Sequence, residues 1–85
     1  MTDKPGTGPT PKQKAIEGMF QRAMNLRDSS PGRIPDRLEN SYAKAYRCCY
    51  RTANDNAVLH FRSLTRNYRK VVRKIAAKHL TKVAP

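Results

Sequence analysis

The longest amphipathic pattern in the chain extends from Ala57 to Lys82 and contains no acidic residue. Its apolar positions recur at alternating intervals of four and three residues, which places their side chains on one face of an α-helix. These inward-facing positions are Ala57, Phe61, Leu64, Tyr68, Val71 and Ile75, followed by His79. Nearly opposite them fall Arg62, Arg66, Arg69 and Arg73. The pattern therefore predicts a helix with one buried face and one face suited to negatively charged groups.

A shorter amphipathic segment predicts a first helix over residues 11–27. Thr10 can cap this helix, Pro11 suits its first position, and Gln13 completes a capping box. The apolar stripe of the segment consists of Ile16, Met19, Phe20 and Ala23, with Met24 and Leu26 at its edges.

The middle segment predicts a second helix over residues 37–53, with Asp36 as its cap and Glu39 as the second half of a capping box. Its apolar stripe consists of Leu38, Tyr42, Ala45, Tyr46, Cys49 and Ala53, with Tyr50 at the margin. Its opposite side presents Arg37, Lys44, Arg47 and Arg51. The tyrosines recur every four residues, which also suits stacking on single-stranded bases. Tyr42 and Tyr46 share the core stripe, so we expect them to be packed, and only Tyr50 stays open as a stacking residue.

Two stretches interrupt the helical patterns. In residues 28–35, Pro31-Gly32 favours a turn and Pro35 prevents a continuous helix, while Ile34 is expected to pack against the next helix. Residues 54–56 are Asn-Asp-Asn, and these residue types are better caps than helix-interior residues. A second break is therefore predicted there, with one continuous helix through these residues as the alternative.

These elements predict an all-α fold, either a small three-helix bundle or a helical hairpin plus one helix. Residues 1–9 are rich in Gly, Pro and Thr and are expected to form a disordered leader, with residues 10–85 as one helical domain. A domain of this size buries a marginal core. Dimerisation through the apolar face of the C-terminal helix therefore stays an open alternative to a monomer.

The charge balance indicates the class of partner. A net charge of +12, from 18 Lys and Arg against 6 Asp and Glu, exceeds what solubility requires and favours nucleic acid, ahead of acidic proteins or anionic membranes. No apolar run is long enough to span a membrane, and we expect neither a signal peptide nor a membrane partner. The adjacent Cys48 and Cys49 indicate free thiols in a reducing compartment, which predicts the cytoplasm, with a nucleoid or a nucleus as alternatives.

The candidate binding residues are cations that repeat along the C-terminal helix. Arg62 and Arg66, like Arg69 and Arg73, form like-charged pairs four residues apart, and such pairs repel one another unless an anion is present. A solvated helix face usually mixes the two signs, so an anion-binding surface explains the pattern better. Arginine donors match phosphate oxygens well. The predicted nucleic-acid-binding residues are Arg62, Arg66, Arg69, Lys70, Arg73 and Lys74, backed by Arg47 and Arg51.

Catalytic chemistry has little support in the sequence. His60 and His79 stand at no ligand spacing from the two cysteines, and neither Cys48 nor Cys49 has a recognisable base nearby in sequence. No glycine-rich phosphate loop is present, because all four glycines precede residue 33. We therefore expect a protein that is not an enzyme and uses no metal or cofactor.

Two functional hypotheses follow. The favoured one is a small accessory or regulatory protein that binds the phosphate backbone of DNA or RNA. The alternative is a small helical adaptor or inhibitor that docks on an acidic protein surface, including that of a nucleic-acid-binding enzyme. Its motivation is the apolar residues that so small a bundle would leave partly exposed, namely Met19, Phe20, Met24 and Tyr50.

Overall fold

The computed structural model describes residues 8–83, and the side chains of residues 8–81. Three helices account for most of this part of the chain: α1 (Pro11–Ser29), α2 (Asp36–Thr52) and α3 (Asp55–Val83). Each helix packs against both others. The predicted all-α class and the three-helix bundle are confirmed. The predicted leader lies outside the described residues except for residues 8 and 9, and a dimer stays a prediction.

The first helix begins as its sequence predicts. Gln13 N donates to Thr10 Oγ1 at 3.2 Å, and Thr10 N donates to Gln13 Oε1 at 3.0 Å, which completes the capping box. The helix continues to Ser29, two residues beyond the predicted end. At that end the Ser30 hydroxyl donates to the Leu26 carbonyl at 2.6 Å. This side-chain donor satisfies a carbonyl that the helix leaves without an intrahelical partner.

The predicted cap of α2 is wrong. Pro35, not Asp36, occupies the N-cap position and makes no side-chain capping bond, while Asp36 is already helical. The extended backbone that proline and its predecessor favour supplies the entry geometry, so the helix starts one residue early. Glu39 is drawn into a tertiary contact instead, because its carboxylate accepts from Arg27 Nη1 at 3.1 Å.

The break between α2 and α3 is confirmed, and the single continuous helix is excluded. Ala53 takes a left-handed conformation with φ 43°, and its N–H donates to the Cys49 carbonyl at 2.7 Å. Asn54 Oδ1 then accepts from Ala57 N at 2.8 Å, so Asn54 caps α3. The third helix consequently starts at Asp55, two residues before the apolar pattern begins.

Stacked aromatic rings join the helices across the core. Tyr42 stacks on Tyr68 with ring centroids 4.2 Å apart and on Phe61 at 5.1 Å, and Phe20 stacks on Tyr46 at 4.1 Å. Such pairs stabilise a core beyond the burial of their area. The buried apolar residues are Ile16, Ala23, Ile34, Tyr42, Cys49, Ala57, Phe61, Tyr68 and Val72. The expected packing of Ile34 into the bundle is consistent with its burial in this core.

The buried face of α3 is rotated relative to the prediction. Leu64, Val71 and Ile75 are only half-buried, whereas Val72 is 0% exposed and Thr65 is 6% exposed. The hydroxyls of Thr65 and Tyr42 share a hydrogen bond of 2.7 Å. Because this bond satisfies both buried polar groups, a threonine can occupy the core and the helix turns its Thr65 side inward.

Breaking this hydroxyl pair tests the rotated packing. Tyr42→Phe and Thr65→Val each leave one buried hydroxyl without its partner, so each is expected to lower the free energy of unfolding by about 1–3 kcal/mol. The double variant leaves neither hydroxyl and is expected to be destabilised by less than the sum of the single effects. Urea unfolding followed by circular dichroism measures all four proteins. Additive effects would show that the two side chains are not coupled.

Candidate nucleic-acid interface

Most of the predicted arginines converge on a groove between α1 and α3. The groove is lined by Met19, Arg22, Arg62, Thr65, Arg66, Arg69, Lys70 and Arg73. Six of these eight residues are cations, and we call the six together the basic groove. Along α3 the cations from Arg62 to Arg73 span about 17 Å at the helical rise of about 1.5 Å per residue. The groove therefore offers an elongated positive surface rather than a single anion site.

The rotation of α3 explains why a groove forms. With Thr65 and Val72 turned inward, the arginine stripe lies roughly 100° from the buried face instead of opposite to it. The stripe thereby borders α1, which contributes Met19 and Arg22. The arginines thus face the junction between two helices, where side chains from both sides can contact the same ligand.

Arg69 is the most enclosed cation of the basic groove. It is half-buried, and its Nε is buried without a hydrogen-bond partner among the described residues. An unpartnered buried donor is unfavourable. Arg69 also lies close enough to the Tyr42–Thr65 pair to oppose the rise that burial causes in the pKa of Tyr42.

The carboxylates of the described residues form their ion pairs elsewhere. Their salt bridges are Lys12 to Asp55 at 3.6 Å, Arg27 to Asp28 at 2.9 Å, Arg27 to Glu39 at 3.1 Å and Arg33 to Asp36 at 3.9 Å. None of these includes a cation of the basic groove. The charge of the groove is therefore not neutralised by the described part of the chain.

The three remaining predicted cations do not line the basic groove. Arg47 and Arg51 are exposed on α2, which meets α3 along Leu64 and Val71, on the flank away from the basic groove. Lys74 is exposed on α3 next to Lys70 and Arg73, with which it lines an adjoining open surface, so it borders the basic groove without lining it. We define the α2 face as the exposed cations Arg37, Lys44, Arg47 and Arg51. The structure therefore brings Arg62, Arg66, Arg69, Lys70 and Arg73 together, with Lys74 at their border, and separates them from Arg47 and Arg51.

Arg22 is the groove residue that the sequence reading missed. It belongs to α1 and is exposed. Its position three residues after Met19 and four before Leu26 places it beside the apolar stripe of α1. That spacing indicates a cation at the border of the helix interface, but only the packing of α1 on α3 shows which helix it borders.

The other chemically interesting side chains serve the core or lie apart. The four residues that motivated protein docking, Met19, Phe20, Met24 and Tyr50, are half-buried and pack against the core. Burial raises the pKa of the Cys49 thiol, which disfavours the reactive thiolate at neutral pH. Burial, helped by the Glu39 carboxylate, also raises the pKa of Tyr68, whose hydroxyl has no hydrogen-bond partner among the described residues.

Two further observations bear on the class of site. Among residues 8–83, no helix is both long and apolar enough to cross a lipid bilayer. The same part of the chain holds no group of three or more His, Cys, Asp or Glu residues arranged to bind a metal ion.

Comparisons of the chain with protein families, with curated proteins and with solved structures found no match.

Proposed function

We propose that this protein is a small nucleic-acid-binding accessory or regulatory protein that holds a phosphate backbone in the basic groove. The observation that supports this most is the set of six converging cations without a carboxylate partner among the described residues. Four of them are arginines of one helix, whose planar donors match phosphate oxygens.

The dimensions of the basic groove also suit a nucleic acid. Duplex DNA has one negative charge per about 1.7 Å of its axis, so about 17 Å of duplex carries roughly ten phosphates, and those on its near side can face the groove. The cations contact backbone rather than base edges in this arrangement, and backbone contacts give affinity without sequence preference. The proposed binding is therefore general rather than sequence-specific.

Salt dependence provides the direct test. If all six cations of the basic groove contact phosphates, affinity for a short duplex is expected to fall about 10³-fold between about 50 and 200 mM salt. Fluorescence anisotropy with a DNA duplex and an RNA duplex of the same sequence measures this slope and shows which backbone is preferred. Absence of binding to both duplexes at the lowest salt would reject the proposal.

A second candidate is docking on an acidic protein surface. It is favoured by half-buried apolar side chains that line a shallow groove between α2 and α3, including Leu38, Ala45, Leu64 and Val71. Pull-down from a nuclease-treated lysate separates the two candidates. Nucleic-acid binding predicts that nuclease removes the captured material, whereas docking predicts that one defined acidic protein is retained.

A further inference from the structure

The α2 face is a second cationic surface, separate from the basic groove. Arg47 and Arg51 lie one helical turn apart and repel one another, and residues 40–51 include no acidic residue. Lys44 follows the buried Tyr42 by two positions, and Arg51 follows the buried Cys49 likewise. Two positions correspond to about 200° around a helix, so Lys44 and Arg51 point away from the core.

The two cationic surfaces lie on opposite sides of the bundle. Because each helix contacts both others, the three helices form a triangle in cross-section. The basic groove lies along the side between α1 and α3, and α2 occupies the opposite corner. The α2 face consequently points away from the groove. Across its two short axes the backbone measures 22 and 18 Å.

This separation makes the two surfaces independent. At physiological salt the interaction between exposed charges is screened over about 8 Å. The charges of the basic groove therefore contribute little to the electrostatic potential at the α2 face. Double-stranded DNA is stiff over roughly 150 bp, so one short duplex cannot wrap the bundle to contact both. A protein that needs only one binding surface gains nothing from a second unneutralised cluster on the far side, where its like charges repel.

We propose that the protein bridges two nucleic-acid segments, with one in the basic groove and the other on the α2 face. This inference rests on the proposed function, because the groove supplies the first of the two contacts. The α2 face has four cations against six in the groove, so it is the weaker site. Bridging is therefore expected at low salt and is lost before groove binding as salt rises.

The experiment uses a biotin-tagged duplex, a fluorescent duplex and the full-length protein at about 50 mM salt. Capture of the fluorescent duplex on streptavidin beads measures bridging. Analytical ultracentrifugation of the protein with an excess of a short duplex measures how many duplexes each protein chain binds. The wild type is expected to bind two duplexes per chain and to bridge them. The Lys44→Glu/Arg47→Glu variant is expected to bind one duplex per chain. It should capture at least about tenfold less fluorescent duplex than the wild type.

The outcomes separate the two proposals. If the wild type binds one duplex and captures no second one, bridging is wrong while nucleic-acid binding stands. If the α2-face variant captures as much duplex as the wild type, the α2 face is not the second site and the proposal is wrong. A protein dimer, with one duplex in the basic groove of each chain, would then explain the capture. A wild type that binds no duplex rejects both proposals. The milder Lys44→Gln/Arg47→Gln variant repeats the measurement should the glutamates lower helicity in circular dichroism.

Discussion

Exchange of Arg66 and Arg73 together for glutamate is expected to abolish measurable binding of a short duplex at about 150 mM salt. Both residues are exposed, so the exchange should leave the helices intact. The variant removes two phosphate contacts and places two carboxylates where phosphates would lie, which repels the ligand. We expect affinity to fall at least about 100-fold and the salt dependence to become shallower. Fluorescence anisotropy measures the affinity, and circular dichroism verifies that helicity is unchanged.

A control of equal charge shows whether position or net charge matters. Lys14→Glu/Lys78→Glu lowers the net charge of +12 by four, as the arginine variant does, since each exchange removes one positive and adds one negative charge. Both lysines are exposed and neither lines the basic groove. This control is expected to reduce affinity by less than about tenfold. Equal losses in the two variants would contradict a localised site and indicate attraction by overall charge alone.

The fold follows largely from local chemistry that the sequence displays. The capping box of Thr10 and Gln13 and a break between the second and third helices agree with the structure, whereas the predicted apolar stripe of α3 is rotated relative to its buried face. The start of α2 could not be predicted correctly, because Asp36 and Glu39 form a plausible capping box by spacing alone. The tertiary contact between Glu39 and Arg27 depends on where α1 ends relative to α2, which no local pattern encodes.

The sequence predicts the positive charge of the basic groove but not its shape. Periodicity on α3 identifies the arginine stripe, but it treats Thr65 as polar and Leu64 as core. The hydrogen bond between Thr65 and Tyr42 reverses that preference, because a buried hydroxyl is tolerated once it has a partner. The resulting rotation moves the arginines beside α1 and recruits Arg22. Helix orientation thus decided the shape of the site, although residue type alone indicated its charge.

Replacement of Gly32 by alanine is expected to destabilise the bundle strongly. Gly32 lies in the connection between α1 and α2 and has φ +97°, a conformation that L-residues with a side chain rarely adopt. An added Cβ would lie 2.8 Å from Ile75 Cγ2 and 3.4 Å from the Ile75 carbonyl oxygen. Backbone strain and overpacking each cost about 1–3 kcal/mol, so we expect the free energy of unfolding to fall by about 2–4 kcal/mol.

The same substitution in α1 serves as the matched control and has the opposite expected sign. A Cβ on Gly18 would meet nothing within 4 Å, and alanine favours a helix interior over glycine by about 0.5–1 kcal/mol. Thermal unfolding should therefore give a higher Tm for Gly18→Ala and a Tm at least about 10 °C lower for Gly32→Ala. Because a domain of this size has about 3–5 kcal/mol in total, Gly32→Ala should be partly unfolded at about 37 °C. A Gly32→Ala protein as stable as the wild type would mean that the connection between α1 and α2 does not pack on Ile75 of α3.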